Sequence, residues 1–117
     1  MVQPNQHGVY PEEAAERIAW PGAKGYLLYC EIYALPVDGV WIGAYSYQIG
    51  GSDLRGGGGP LMKRTVHPDR QSCVEHEAKR LMRSINGSDC KQAPKIRAWL
   101  ESLIVGPAQA DLFADAA

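Results

Sequence analysis

Two tyrosine-rich apolar runs flanking a turn sequence constrain this chain most. Residues 26–35 are rich in Tyr, Leu and Ile, and residues 40–49 repeat that chemistry. Between them, Pro36-Val37-Asp38-Gly39 supplies turn residues, with Gly39 able to adopt positive φ. Two β-prone runs joined in this way predict a hairpin. The chain has 117 residues, which suits one hydrophobic core and is too short for two stable ones.

The remaining elements follow from local signals. Residues 11–19 begin with Pro and carry Glu12, Glu13 and Glu16, which predicts a short helix stopped by Pro21-Gly22. Residues 50–59 contain six Gly and read as a flexible loop. Residues 61–66 are a candidate third strand, ended by Pro68. Ser72-x-x-Glu75 has the form of a capping box and opens a helix with Val74, Ala78, Leu81, Met82 and Ile85 along one stripe. Asn86-Gly87 closes that helix. In the last helix Pro94 sits in the first turn, and Ile96, Trp99, Leu100 and Leu103 recur at i, i+3, i+4 and i+7 before Gly106-Pro107.

The expected order is α-β-β-β-α-α. It implies an α+β fold, with a three-stranded antiparallel sheet and helices packed on one face. Residues 1–10 read as a disordered leader, 11–105 as a single domain and 106–117 as a flexible tail. Over residues 11–86 this order resembles the double-stranded-RNA-binding fold. The resemblance implies a basic cluster at the start of the second long helix. This chain instead has Ser72-Cys73-Val74-Glu75-His76-Glu77 there, with Lys79, Arg80 and Arg83 following.

Composition excludes several classes. Charged residues are 21% and hydrophobic ones 45%, which excludes wholesale disorder. No run of eighteen apolar residues exists, so no membrane-spanning helix is expected. Cys30, Cys73 and Cys90 lack the paired spacing of a disulfide framework, and the N-terminus lacks a secretion signal. A cytoplasmic location is the expectation. A net charge of −1 argues against a strongly cationic nucleic-acid binder, yet residues 61–100 alone carry net +5. Within that segment Lys63, Arg64, Arg70, Lys79, Arg80 and Arg83 are the candidate phosphate contacts.

Strand alternation supplies a second candidate surface. If the two hairpin strands put their odd-numbered residues on one face, that face carries Tyr29, Tyr33, Trp41, Tyr45 and Tyr47. Such a face could stack bases or bind a protein. Cys73-x-x-His76, with His67 and Cys90, is the best metal-ligand pattern, but no second tight pair completes a zinc set, and no metal is expected. Asp53, Glu75 and Glu77 are acidic candidates whose spacing selects no reaction. The run Gly56-Gly57-Gly58-Gly59-Pro60 lacks the Lys-Ser/Thr of a phosphate-binding loop. No nucleophile elbow is present. No catalytic residue and no cofactor are expected.

The aromatic inventory is lopsided, with six Tyr, three Trp and a single Phe. That residue, Phe113, ends the pentapeptide Gln109-Ala110-Asp111-Leu112-Phe113. The pentapeptide resembles the motif by which bacterial polymerases, repair proteins and replication regulators bind the sliding clamp, with the pattern Gln-Leu-(Ser or Asp)-Leu-Phe. It departs from that pattern only at Ala110. The resemblance implies that Leu112 and Phe113 fill an apolar pocket, Gln109 hydrogen-bonds at its edge and Asp111 shapes the turn. The expectation is a small non-enzymatic bacterial adaptor or regulator, of the build carried by phages and plasmids, docking on the replication clamp. Its domain would contact DNA or another protein. The alternatives are a protein-binding inhibitor, for example in counter-defence, using the aromatic face, and a nucleic-acid-binding module using residues 61–100.

Overall fold

A computed structural model describes residues 2–52 and 54–116, with side chains described except at residues 26 and 105–116. Four strands form one antiparallel sheet in chain order: β1 (Glu16–Ala19), β2 (Tyr29–Val37), β3 (Val40–Ile49) and β4 (Arg55–Gly58). Two helices follow, α1 (Arg70–Ile85) and α2 (Ala93–Ala116), and α2 continues past Gly106-Pro107, where the helix was expected to end. The fold is α+β, with four strands where three were expected.

The hairpin forms between the expected runs, but Gly25–Leu27 is a 3-10 turn, and Pro36 and Val37, expected in the turn, extend β2 opposite Trp41 and Val40. Val37 pairs with Val40, so the loop is Asp38-Gly39, with φ of 51° and 82°. Positive φ at both central positions is the type I′ turn, whose twist matches that of the flanking strands.

The outer strands differ from expectation. Residues 11–19 form a 3-10 turn (Glu12–Ala14) and then β1, not a helix. A helix that short is marginal by itself. Pairing along β2 satisfies an otherwise open edge and sets Ile18 opposite Ile32. The expected third strand at residues 61–66 is irregular. Its place beside the second half of β3 is taken by β4, from the glycine run. The backbones approach closely there: a Cβ on Gly58, at φ +155°, would lie 2.5 Å from the Tyr45 carbonyl oxygen. These changes remove the α-β-β-β-α order on which the likeness to the double-stranded-RNA-binding fold rested.

Both sheet faces are covered in part. On one, Cys30, Ile32, Tyr47 and Ile49 pack against Ala78, Leu81 and Ile85 of α1 and Ile96 and Leu100 of α2. On the other, Tyr33, Leu35, Val37, Ile42 and Ala44 pack with Tyr10 and Leu61. Tyr10, at the end of the expected leader, is buried, and its N–H donates to the Leu61 carbonyl at 2.9 Å. The α1 cap is Asp69, whose carboxylate accepts from the Ser72 N–H at 2.7 Å, so the helix starts ahead of the expected capping box. Among the described residues no helix is long and apolar enough to cross a membrane.

Nothing lies within 4 Å of a Cβ built on Gly39, so substitution there costs backbone strain alone. Gly39→Val is expected to lower unfolding free energy by about 1–2 kcal/mol, and Gly39→Asn by distinctly less. Urea denaturation of the two variants checks this.

Candidate functional site

A cluster of polar side chains lies where α1 crosses the first half of β3. The Trp41 N–H donates to the His67 carbonyl at 2.8 Å, and the His67 N–H donates to the Trp41 carbonyl at 2.9 Å. This single bridge holds the loop before Pro68 against the strand. Asp69 then starts α1, which returns His76 and Glu77 to the same place. The His67 and His76 rings lie 4.8 Å apart between centroids.

Glu77 is the unusual member, since it is only 2% exposed. It lies on the apolar stripe of α1, four residues after Cys73 and four before Leu81. Gly43 of β3 makes room for it: a Cβ there would lie 2.7 Å from Cys73 Sγ and 2.8 Å from Glu77 Cγ. The Arg80 guanidinium donates to both carboxylate oxygens, at 2.9 and 3.3 Å. Arg80 is itself set over the Tyr45 ring, 4.9 Å from the centroid. Tyr45 in turn hydrogen-bonds Ser84 at 3.1 Å.

Burial pushes the Glu77 carboxyl above its ordinary range, while Arg80 and His67 pull it back. Burial, and then the neighbouring His76, holds His67 below its ordinary value. His76 is lowered by burial and then by Arg80, Arg83 and Lys79. Nε2 of His67 is buried and has no hydrogen-bond partner. His67, His76 and Glu77 each present one ligand-type atom, and these lie within 4.8 Å of one another.

The structure regroups the residues singled out from sequence. His67 and His76 come together, but Cys73 turns its sulfur toward Gly43, and neither it nor Cys90 belongs to the cluster. Glu75 pairs with Lys79 on the surface at 3.1 Å, and Asp53 lies outside the described residues. The visible signal for Glu77 was a carboxylate in the middle of an apolar helical stripe.

The five aromatic candidates do not share a face. Tyr33 pairs with Ala44, and Tyr45 with Ile32. Tyr29 and Tyr33 therefore lie on the face away from the helices, and Trp41, Tyr45 and Tyr47 on the helix face. None of the five is exposed. Of the six basic candidates, Lys63 pairs with Asp38, Arg70 with Glu16, Lys79 with Glu75 and Arg80 with Glu77. Those partners compete with phosphate for the same cations. Arg64 meets the Met62 sulfur at 3.6 Å, and Arg83 borders a hollow of about 500 Å³ with Lys79, Met82, Asn86 and Arg97. Gln109, Asp111, Leu112 and Phe113 lie outside the residues whose side chains are described.

A second hollow of about 480 Å³ lies on the opposite sheet face, lined by Glu12, Arg17, Tyr29, Glu31, Tyr33 and Ser46 among others. Glu31 accepts from Arg17 and from the Tyr33 hydroxyl. Comparison with protein families, curated proteins and solved structures finds no match to the chain.

Two outcomes follow from these contacts. Gly43→Ala should destabilise the domain by about 1–3 kcal/mol, through overpacking against Cys73 and Glu77, as measured by urea unfolding. The hydrogen bond from Arg17 holds the Glu31 carboxyl below its ordinary value, with Tyr33 adding to the effect and burial opposing it. Stabilisation from a lowered carboxylate is complete above the unfolded value, about 4.3, and is lost as pH falls through the folded one. The stability gap between wild type and E31Q should therefore be widest near pH 7 and close as pH falls below about 4.

Proposed function

We propose that this chain is a small non-enzymatic bacterial adaptor or regulator that docks on the replication sliding clamp through its C-terminal segment. The observation carrying the proposal is the pentapeptide Gln109-Ala110-Asp111-Leu112-Phe113, which holds the only Phe of the chain beside Leu112. Its place in the chain supports this reading. The described core draws on α2 through Ile96 and Leu100, with Leu103 and Ile104 packed at its margin. The peptide follows a few residues later, at the far end of a segment anchored by that packing.

The physical logic is that of a short linear anchor. Few residues make contact, so the affinity must come from dense apolar side chains. Leu112 and Phe113 would each contribute about 1.5–3 kcal/mol on full burial in a pocket. Gln109 would add orientation through its amide, and Asp111 would shape the turn leading into the anchors. Ala110, in place of the larger Leu, gives up part of that apolar area. The adaptor would bring its domain to the replication fork or displace other clamp-binding proteins.

Titration of a purified bacterial sliding clamp with the full chain tests this. Wild type should bind, and the double variant L112A/F113A should bind at least about 100-fold more weakly. Equal affinity of the two, or no binding by the wild type, overturns the proposal.

A further inference from the structure

We propose that His67, His76 and Glu77 form a binding site for one divalent transition-metal ion of the zinc type. This rests on observations separate from the C-terminal peptide. The donor set is two imidazoles and one carboxylate, a combination that suits zinc and related ions. Their ligand atoms lie within 4.8 Å of one another, and His76 Nε2 is 3.8 Å from Glu77 Oε2. Ligands around a zinc ion stand about 2.0–2.2 Å from it, so side-chain rotations of roughly 1 Å close the set.

Three further features point to a ligand. The Nε2 atom of His67 is buried without a partner, and an imidazole nitrogen in that state lacks the hydrogen bond it would have in water. A metal ion supplies that partner. The two oxygens of Glu77 are also held unequally: Arg80 donates to Oε1 at 2.9 Å and at the longer distance of 3.3 Å to Oε2, and Oε2 is the oxygen that approaches His76. Arg80 can keep Oε1 and orient the carboxylate while Oε2 ligates, the usual arrangement around a metal-bound carboxylate. Finally, the His76 side chain is 37% exposed. The site therefore opens to solvent on one side, giving an entry path and a fourth position for water.

The ligands come from the loop that leads into α1 and from the second turn of the helix itself. His67 sits on the loop held to β3 by the single Trp41 bridge, and His76 and Glu77 sit on α1. An ion bound here would cross-link His67 to His76 and Glu77, and binding to the folded state alone would raise stability.

The test uses the tag-free full chain, stripped with chelator. Zinc binding is measured by titration calorimetry, with magnesium as the comparison ion, and cobalt spectra report the ligand type. The expected result is one zinc per chain, no matching response to magnesium, and a raised unfolding temperature. H76A and E77Q should each weaken zinc at least about 10-fold. H76A replaces a part-exposed helical residue by the best helix former, so its fold is expected to persist, and circular dichroism checks this. The cobalt complex should lack the intense thiolate charge-transfer band. Absence of stoichiometric zinc binding, unchanged affinity in either variant, or a thiolate band implicating Cys73 or Cys90 overturns the assignment.

Discussion

The pairing of β2 with β3 through the Asp38-Gly39 turn is the constraint on which the rest of the structure depends. A two-residue loop makes Val37 face Val40, and every other pair along the hairpin then joins residues of opposite parity, odd with even. Directly opposed residues share a face. Cys30, Ile32 and Ala34 are thereby placed with Tyr47, Tyr45 and Gly43 under the helices, while Tyr33 and Leu35 join Ala44 and Ile42 on the other side. A slip of one residue would exchange both sets and leave α1 packed against the wrong surface.

That register also determines what α1 can bury. Ala34 and Gly43 are paired on the helix face, and their small size leaves a depression in the sheet. Cys73 and Glu77 occupy it. A carboxylate in such a place is costly unless compensated. Arg80, one turn along the same helix, provides the counter-charge, and Tyr45 supports Arg80 from the sheet. One network thus joins the hairpin, α1 and the loop carrying His67. The same interior holds three apolar clusters with no disulfide among the described cysteines.

Much of this was legible because it is local. The span of β3 matches the apolar run of residues 40–49, and the stripe of α1 buries Val74, Ala78, Leu81 and Ile85 as its spacing implies. The separation of the aromatic residues was legible too. Any connection of even length between these runs pairs odd with even positions, so Tyr33 and Tyr45 cannot share a face without a bulge. Less of the histidine cluster could be read: spacing linked Cys73 to His76, but the donor beside His76 is Glu77, whose signal lay in its position on a buried stripe.

The sequence by itself determined the hairpin, its turn and the apolar faces of both helices, because these depend on residues within a few positions of one another. Tertiary structure decided the two outer strands. Residues 16–19 have helix-compatible composition and become β1 because the edge of β2 is there to pair with and Ile32 awaits Ile18. Residues 55–58, three of them glycine, become β4 because β3 offers a second edge that glycine can approach closely. The meeting of His67 with His76 and Glu77 was decided at the same level, by a strand bridge and a helix crossing. Neither outer-strand partner nor crossing point is encoded in local spacing, since each exists only once the sheet has formed.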